Sequence, residues 1–253
     1  MILKTSAEID TMAEGGRRLA TVLATLRSEV RAGVTTFELD RRAEELIRAG
    51  GDVPSFLNYS PGGAKKPYPF TLCTSVNDGV VHGQPSERPL EDGDLLKLDL
   101  GLKHGGFHLD AAVTVPVGTI SAEARRLAAA TEEALYVGIK QARPGRTLGD
   151  IGAAVQEVVE RNGFSVVTAL TGHGIGRELH EDPSVLNVGK PGEGEELVAG
   201  MVIAIEPMVA FGKGAVKQLK DDSFATADGS LAAHFEHTVA ITERGPKILT
   251  VSR

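Results

Sequence analysis

The chain is nearly devoid of cysteine and has no tryptophan. A single thiol, Cys73, among 253 residues rules out an internal disulfide framework and any multi-cysteine zinc or iron–sulfur site. It also fits a reducing, cytoplasmic setting. Aromatic residues make up only 4% of the chain, too few for a platform that stacks bases or sugars. There is no basic run and the net charge is −7, so neither nucleic acid nor a membrane surface is an expected partner. No stretch approaches the roughly 20 apolar residues of a membrane span, and the start, Met1 to Asp10, lacks the apolar core of a signal peptide. What remains is an ordinary globular composition, 42% hydrophobic and 24% charged. With no Pro/Ser-rich linker or low-complexity tract, residues 1–253 read as one domain.

That domain carries an internal duplication. Residues 31–51 and 143–163 align so that Gly33 meets Gly145, Thr35 meets Thr147 and Glu45 meets Glu157. Leu39, Ala43, Leu46 and Ile47 fall on Ile151, Val155, Val158 and Val159, the apolar stripe of one amphipathic helix. Each threonine is placed to cap its helix, and each helix stops at a glycine. A longer helix precedes each copy, at about 7–31 and 121–142. Strands are expected at about 70–76, 80–82, 95–102 and 107–116, then at 164–172, 201–209, 215–220 and 234–242. The fold class is α+β, with helix–helix–strand halves at about 1–118 and 119–253 related by a pseudo-twofold, and a site at their junction could draw residues from both.

Two acids stand out within the first half. In Leu96-Lys97-Leu98-Asp99-Leu100-Gly101-Leu102 the leucines share one face and Asp99 points to the other. In Phe107 to Val115, Leu109, Ala111, Val113 and Val115 form the apolar face and Asp110 opposes them. A two-residue turn at His104-Gly105 sets Asp99 directly across from Asp110, with Cβ atoms roughly 4.5–5.5 Å apart. Two ionised carboxylates so placed need a cation, a Lys or Arg, or a shared proton. A solvated hairpin with two surface acids is the plain alternative.

Three further segments carry chemistry-bearing residues. Thr171 to Glu181 holds His173 and His180 amid glycines that let backbone or ligand come close to His173. Glu206 interrupts the apolar run Val202 to Val209, and a buried glutamate must be paired, protonated or bound to metal. Glu236 shares a strand face with Thr238 and Ala240, a pattern equally suited to the outer face of a half-exposed strand. Asp99, Asp110, Glu206 and Glu236 together would neutralise two divalent cations, with His173 as a nitrogen donor. Such an oxygen-rich set favours manganese, iron or cobalt, with zinc possible. A centre of this kind activates a water and polarises a carbonyl.

Those segments, with Asn77-Asp78-Gly79-Val80-Val81-His82-Gly83, Ile205-Glu206-Pro207-Met208 and Glu236-His237-Thr238, resemble the type I methionine aminopeptidases from about residue 7 to the C-terminus. The resemblance implies the pita-bread fold around a curved antiparallel sheet, and removal of the initiator methionine from nascent chains whose second residue is small. It implies that Asp99 chelates one ion, that Asp110 and Glu236 bridge two, and that His173 and Glu206 complete the other. Glu206 would serve as general base, His82 would contact the scissile-side nitrogen or the intermediate, and His180 would hydrogen-bond the substrate carbonyl oxygen. Phe56, Tyr59, Tyr68, Cys73, Leu179 and Phe224 would line the methionine pocket, Cys73 as lining and not as nucleophile. A single chain acting as a monomer, in reach of the ribosome exit region through the domain itself, completes the expectation.

Two departures from the family pattern bear on the site. The connection Ser60 to Pro67 is longer than usual and bears on Tyr59 and the pocket rim. Ala111 and Ala112 replace a hydroxyl often found after the aspartate, which alters the support available to the ligands. The rival readings are a proline-directed peptidase of the same fold and a non-catalytic binding protein built on it; the second would be expected to have lost metal ligands.

Overall fold

The structure, a computed structural model, describes residues 2–60 and 66–251. Most of the 60–67 connection therefore lies outside the described residues.

In the first half, α1 (Ser6–Glu29) and α2 (Thr36–Ala49) precede β1 (Val53–Pro54), β2 (Leu72–Val76), β3 (Gly79–Val81), β4 (Leu95–His104) and β5 (Phe107–Pro116). The second half repeats the helix pair with α3 (Ala122–Gln141) and α4 (Leu148–Arg161). There follow β6 (Ser165–Val166), β7 (Gly172–Gly174), β8 (Glu181–Val185), β9 (Val202–Ile205), β10 (Met208–Ala210), β11 (Val216–Gln218) and β12 (Phe224–Thr226). The chain ends with β13 (Ala232–His234), β14 (His237–Thr242) and β15 (Gly245–Ile248).

The duplication extends to hydrogen bonds. Thr35 and Thr147 each accept from the backbone three residues on, and Glu38 and Asp150 reach back to close a capping box. Gly33 and Gly145 both have positive φ; the first donates to Leu90 O at 2.8 Å and the second to Leu197 O at 3.0 Å. Thr35 bridges Pro89 and Thr147 bridges Glu196. The two helix pairs are thus tied in the same way to the segments that lead into β4 and β9.

Every strand pairing is antiparallel. Leu96, Leu98, Leu100 and Leu102 of β4 pack in one cluster with Met12, Leu19 and Leu26 of α1 and Leu39, Ala43 and Ile47 of α2. Each such side chain contributes about 1.5–3 kcal/mol on burial, which fixes the face on which Lys97, Asp99 and Gly101 emerge. In the second half, Ile203 and Ile205 of β9 and Val239 and Ile241 of β14 pack with Leu135 and Ile139 of α3 and Ile151 of α4. Helices cover one side of the sheet system and leave the other for the site.

The β4–β5 register differs from the expected one. The two-residue turn is Gly105-Gly106, so His104 pairs with Phe107, Asp99 with Ala112, and Gly101 with Asp110. Both turn residues have positive φ, 56° and 91°, as the favoured hairpin turn requires; a turn at His104-Gly105 would have forced histidine into that region. The slip is by two residues, so every side chain keeps its face. Asp99 and Asp110 are diagonal neighbours and not directly opposed.

The long runs expected at 164–172, 201–209 and 234–242 are each broken. β9 pairs with β14 and β7, whereas β10 pairs with β13 and β6. The chain leaves one sheet for another at Glu206-Pro207 and returns at Phe235-Glu236. Proline has no N–H to continue a ladder, so the break falls there. At the return, Glu236 and Ala112 exchange backbone hydrogen bonds at 3.0 and 3.4 Å, which draws the second-half acid onto β5.

Candidate metal centre

Every candidate side chain from the sequence lines one cavity of about 1270 Å³. Asp99, Asp110, His173, Glu206 and Glu236 lie there with His82, His180, Phe56, Tyr59, Tyr68, Cys73, Leu179 and Phe224. Asp99 comes from the middle of β4, Asp110 from β5, and Glu206 and Glu236 from the two points where strands change sheets.

The four acids are 9%, 4%, 9% and 2% exposed in chain order. Among the described residues no Lys or Arg forms an ion pair with any of them. Asp99 Oδ1, Asp110 Oδ1 and Glu236 Oε1 are buried without a hydrogen-bond partner. Of the three ways to tolerate such a cluster, the basic side chain is therefore excluded; a cation or bound protons remain. Burial lifts all four carboxyl groups above the usual range, and repulsion from Asp110 adds to the rise at Asp99, Glu206 and Glu236. Glu236 does not face outward on a half-exposed strand, since Thr238 and Ala240 beside it are fully buried.

His173 is set up as a nitrogen donor. Its Nδ1 lies 2.9 Å from its neighbour's carbonyl at Gly174, so Nδ1 carries the proton and Nε2 presents its lone pair. Nε2 stands 3.6 Å from Glu206 Oε1. Burial lowers the His173 pKa to about 4, keeping the ring neutral. The flanking glycines are sterically required: a Cβ on Gly172 would lie 2.3 Å from Ala204 O, and one on Gly174 2.2 Å from Asp182 O. β7 is wedged between β8 and β9, and only glycine fits beside His173. Asp110, His173 and Glu236 offer donor atoms within 4.8 Å of one another. The orphaned oxygens and this donor set fit divalent cations.

The hydroxyl absent after Asp110 has a replacement from across the sheet. Thr238 Oγ1 accepts from Asp110 N at 3.0 Å and donates to Asp110 O at 2.8 Å. Sequence reading placed Thr238 on the face of Glu236 but gave it no role.

His82 follows β3 with φ +58°, a conformation uncommon for residues other than glycine. Its ring packs edge-on against Phe224 at 5.9 Å. Tyr68 donates to the carbonyls of Leu72 and Gly83, each at 3.0 Å, tying the His82 loop to β2. His180 stacks edge-on against His173 at 4.3 Å. Tyr59, read as apolar lining, places its hydroxyl 2.7 Å from His180 Nδ1. Cys73 is buried beside Asp99, to which it pairs across β2 and β4, and burial raises its pKa; such a thiol is no nucleophile. Sequence reasoning missed His234, 1% exposed with Nε2 3.5 Å from Glu206 Oε2. The signal was present, because His234 precedes Glu236 by the two-residue period of a strand face.

Fold and acid cluster together define a metallopeptidase. The chain belongs to metallopeptidase family M24, whose profile matches residues 10–243, and it is therefore a protein that binds divalent metal. Its full-length relatives narrow the class further. The methionine aminopeptidase of Clostridium perfringens is 50% identical over 252 residues, 99% of each chain, and methionine aminopeptidase 1 of Bacillus subtilis is 45% identical over 99% of each. The crystal structure of methionine aminopeptidase from Rickettsia prowazekii matches with a TM-score of 0.95 at 35% identity, covering 99% of this chain and 100% of that one. A prolidase from Pyrococcus horikoshii shares the fold, with a TM-score of 0.76 at 23% identity, but this chain covers only 64% of it. The pita-bread fold expected from the sequence is the fold observed.

Proposed function

We propose that this protein is a methionine aminopeptidase that removes the initiator methionine from nascent chains with a small second residue. The observation that carries the reading is the orphaned carboxylate cluster at the wall of a cavity shared with Phe56, Cys73, Leu179 and Phe224. An apolar recess edged by aromatic rings suits a thioether side chain, and methionine supplies one. The full-length relatives support the same substrate, and residues 1–253 act as one catalytic domain.

Asp99, Asp110, His173, Glu206 and Glu236 would hold the divalent ions, Asp99 at one position, His173 and Glu206 at the other, and Asp110 and Glu236 shared between them; manganese, iron or cobalt would suit this donor set, and zinc is possible. Such ions, when bound, acidify a water and polarise the peptide carbonyl. The protein's own groups do the rest. Glu206, whose pKa is lifted by burial, accepts the proton of the attacking water as general base. His180, with Nδ1 tied to Tyr59, donates from Nε2 to the carbonyl oxygen. His82 contacts the scissile nitrogen and is positioned by its unusual backbone. The peptide bond breaks to give methionine and a chain with a new amino terminus.

No helix of the described residues is long and apolar enough to cross a membrane; the cytoplasm, where chains carrying an initiator methionine emerge, is the proposed setting. Because the substrate is a newly emerged amino terminus, we propose action near the ribosome exit region, with the enzyme a monomer. The deciding experiment assays metal-free protein, with single ions restored, on Met-Ala-Ser and on X-Pro dipeptides. Ion-dependent release of methionine from the first and no turnover of the second is the expected result. Turnover of X-Pro alone would replace this reading with the proline-directed one.

A further inference from the structure

One buried polar side chain in the cluster has no part in that chemistry. His234, at the end of β13, has neither ring nitrogen hydrogen-bonded. Leaving a polar group unpaired inside a protein is costly, and a position that keeps one calls for a reason. The backbone of His234 is locked: its N–H donates to Thr114 Oγ1 at 2.9 Å, and the same hydroxyl donates to its carbonyl at 2.6 Å. Register with Met208 on β10 fixes it from the other side. The ring then presents Nε2 to Glu206 Oε2 at 3.5 Å, while His173 Nε2 faces Oε1 at 3.6 Å. Glu206 lies between two imidazoles, one for each carboxylate oxygen.

The two rings are not equivalent. His173 has its Nδ1 proton engaged by a carbonyl, the arrangement of a metal-ligating imidazole; His234 has no such anchor. Glu206, His234 and Glu236 do offer donor atoms within 4.8 Å. However, four carboxylates already balance two divalent cations, and a third ion on the His234 side would bring two uncompensated charges into a closed site. The charge balance leaves hydrogen bonding as the task of this ring.

We propose that His234 is a positioning residue, whose Nε2–H holds Glu206 Oε2 and so keeps Oε1 turned toward His173 and the ion they share. This rests on the metal-centre reading above. It accounts for an imidazole kept dry beside the acids, with one oxygen of Glu206 facing His173 and the other facing His234. It also makes Thr114, whose hydroxyl holds the His234 backbone, part of the same device.

The test compares full-length wild type with His234→Ala, His234→Gln and His234→Asn, each stripped of metal and titrated with manganese or cobalt by calorimetry, with thermal midpoints of the metal-free proteins as control. His234→Ala is expected to weaken ion affinity by about 10–100-fold without changing the number of ions bound. Glutamine, whose amide reaches Oε2, restores the affinity to within a few-fold; asparagine, one methylene shorter, does not. Should alanine fail to fold, the glutamine and asparagine pair decides. Wild-type affinity in the alanine or asparagine variant overturns the proposal, as does failure of glutamine to restore it. Loss of one ion equivalent together with loss of the nitrogen signature in the cobalt spectrum would instead make His234 a ligand. If wild type itself takes up no ions, the metal-centre reading fails, which is a different result.

Discussion

The Tyr59 hydroxyl lies 2.7 Å from Nδ1 of His180. Burial in the cavity walls, with His173 and His82 nearby, holds the His180 pKa well below its ordinary value, so the ring is neutral and carries one proton. A hydroxyl donating to Nδ1 places that proton on Nε2, where it can reach a substrate carbonyl. Tyr59→Phe removes one hydrogen bond, worth about 0.5–1.5 kcal/mol, and frees the wrong tautomer. Turnover of Met-Ala-Ser is expected to fall about 3–10-fold with ion content unchanged by elemental analysis. His180→Ala should cost more, again with ions retained. A Tyr59→Phe enzyme of full activity would return Tyr59 to the role of pocket lining.

Glu206→Gln separates the base from the binding site. The amide keeps the shape of the side chain and loses its ability to accept the water's proton. General acid–base groups contribute typically 10²–10⁴-fold, so at saturating ion, with occupancy checked by elemental analysis because Glu206 is also a proposed ligand, kcat is expected to drop by about that factor. The affinity of a methionine product or substrate analogue should change far less. Equal kcat in this variant would move the base elsewhere, and a matching loss of analogue affinity would mean that Glu206 acts mainly in binding.

Much of this site was visible in the sequence, for reasons the structure explains. The capping threonines Thr35 and Thr147 sit where glycines at positive φ stop the chain from helix formation any earlier. The leucine alternation of β4 fixed which face Asp99 occupies. The register error at Gly105-Gly106 did no harm to that assignment, because a two-residue slip preserves faces. Other features left no local trace. β1, β8, β12 and β15 are two to five residues long, too short for a period to show. Glu206 and Glu236 looked like acids within strands, whereas they mark the sheet changes, which only long-range pairing defines. Tyr59 reads as a hydrophobic ring until its partner, 121 residues away, is known.

Asp99 and Asp110 predict a direct metal result. Asp99 Oδ1 and Asp110 Oδ1 have no hydrogen-bond partner among the described residues, which leaves them free to take an ion. On the proposed ligand set, Asp99→Asn is expected to lower occupancy at one position and Asp110→Asn at both. Elemental analysis after dialysis against limiting manganese reads the difference. Unchanged stoichiometry in both variants would count against the ligand set as a whole.

The pH dependence of the metal-free protein has a worked sign. Asp99, Asp110, Glu206 and Glu236 have folded pKa values raised by burial, Asp110 to about 7 and the others well above the ordinary carboxyl range. Between the ordinary carboxyl range near 4 and those raised values, the folded state holds more protons than the unfolded chain. Their stability contribution is therefore present at low pH and lost as pH rises. Histidines run the other way: His173 is lowered to about 4 and His234 to about 3, so their contribution is complete above about pH 6.5 and lost below it. Buried Lys97, lowered to about 7, opposes the acids above neutrality, but it is one group against several. The thermal midpoint of metal-free protein is expected to decline between pH 6.5 and 8.5. Added manganese should raise it more at pH 8.5 than at 6.5, because the ion binds the ionised carboxylates and need not displace their protons. A flat midpoint over this range would mean that the acids are already ionised without metal, held by a fixed positive charge.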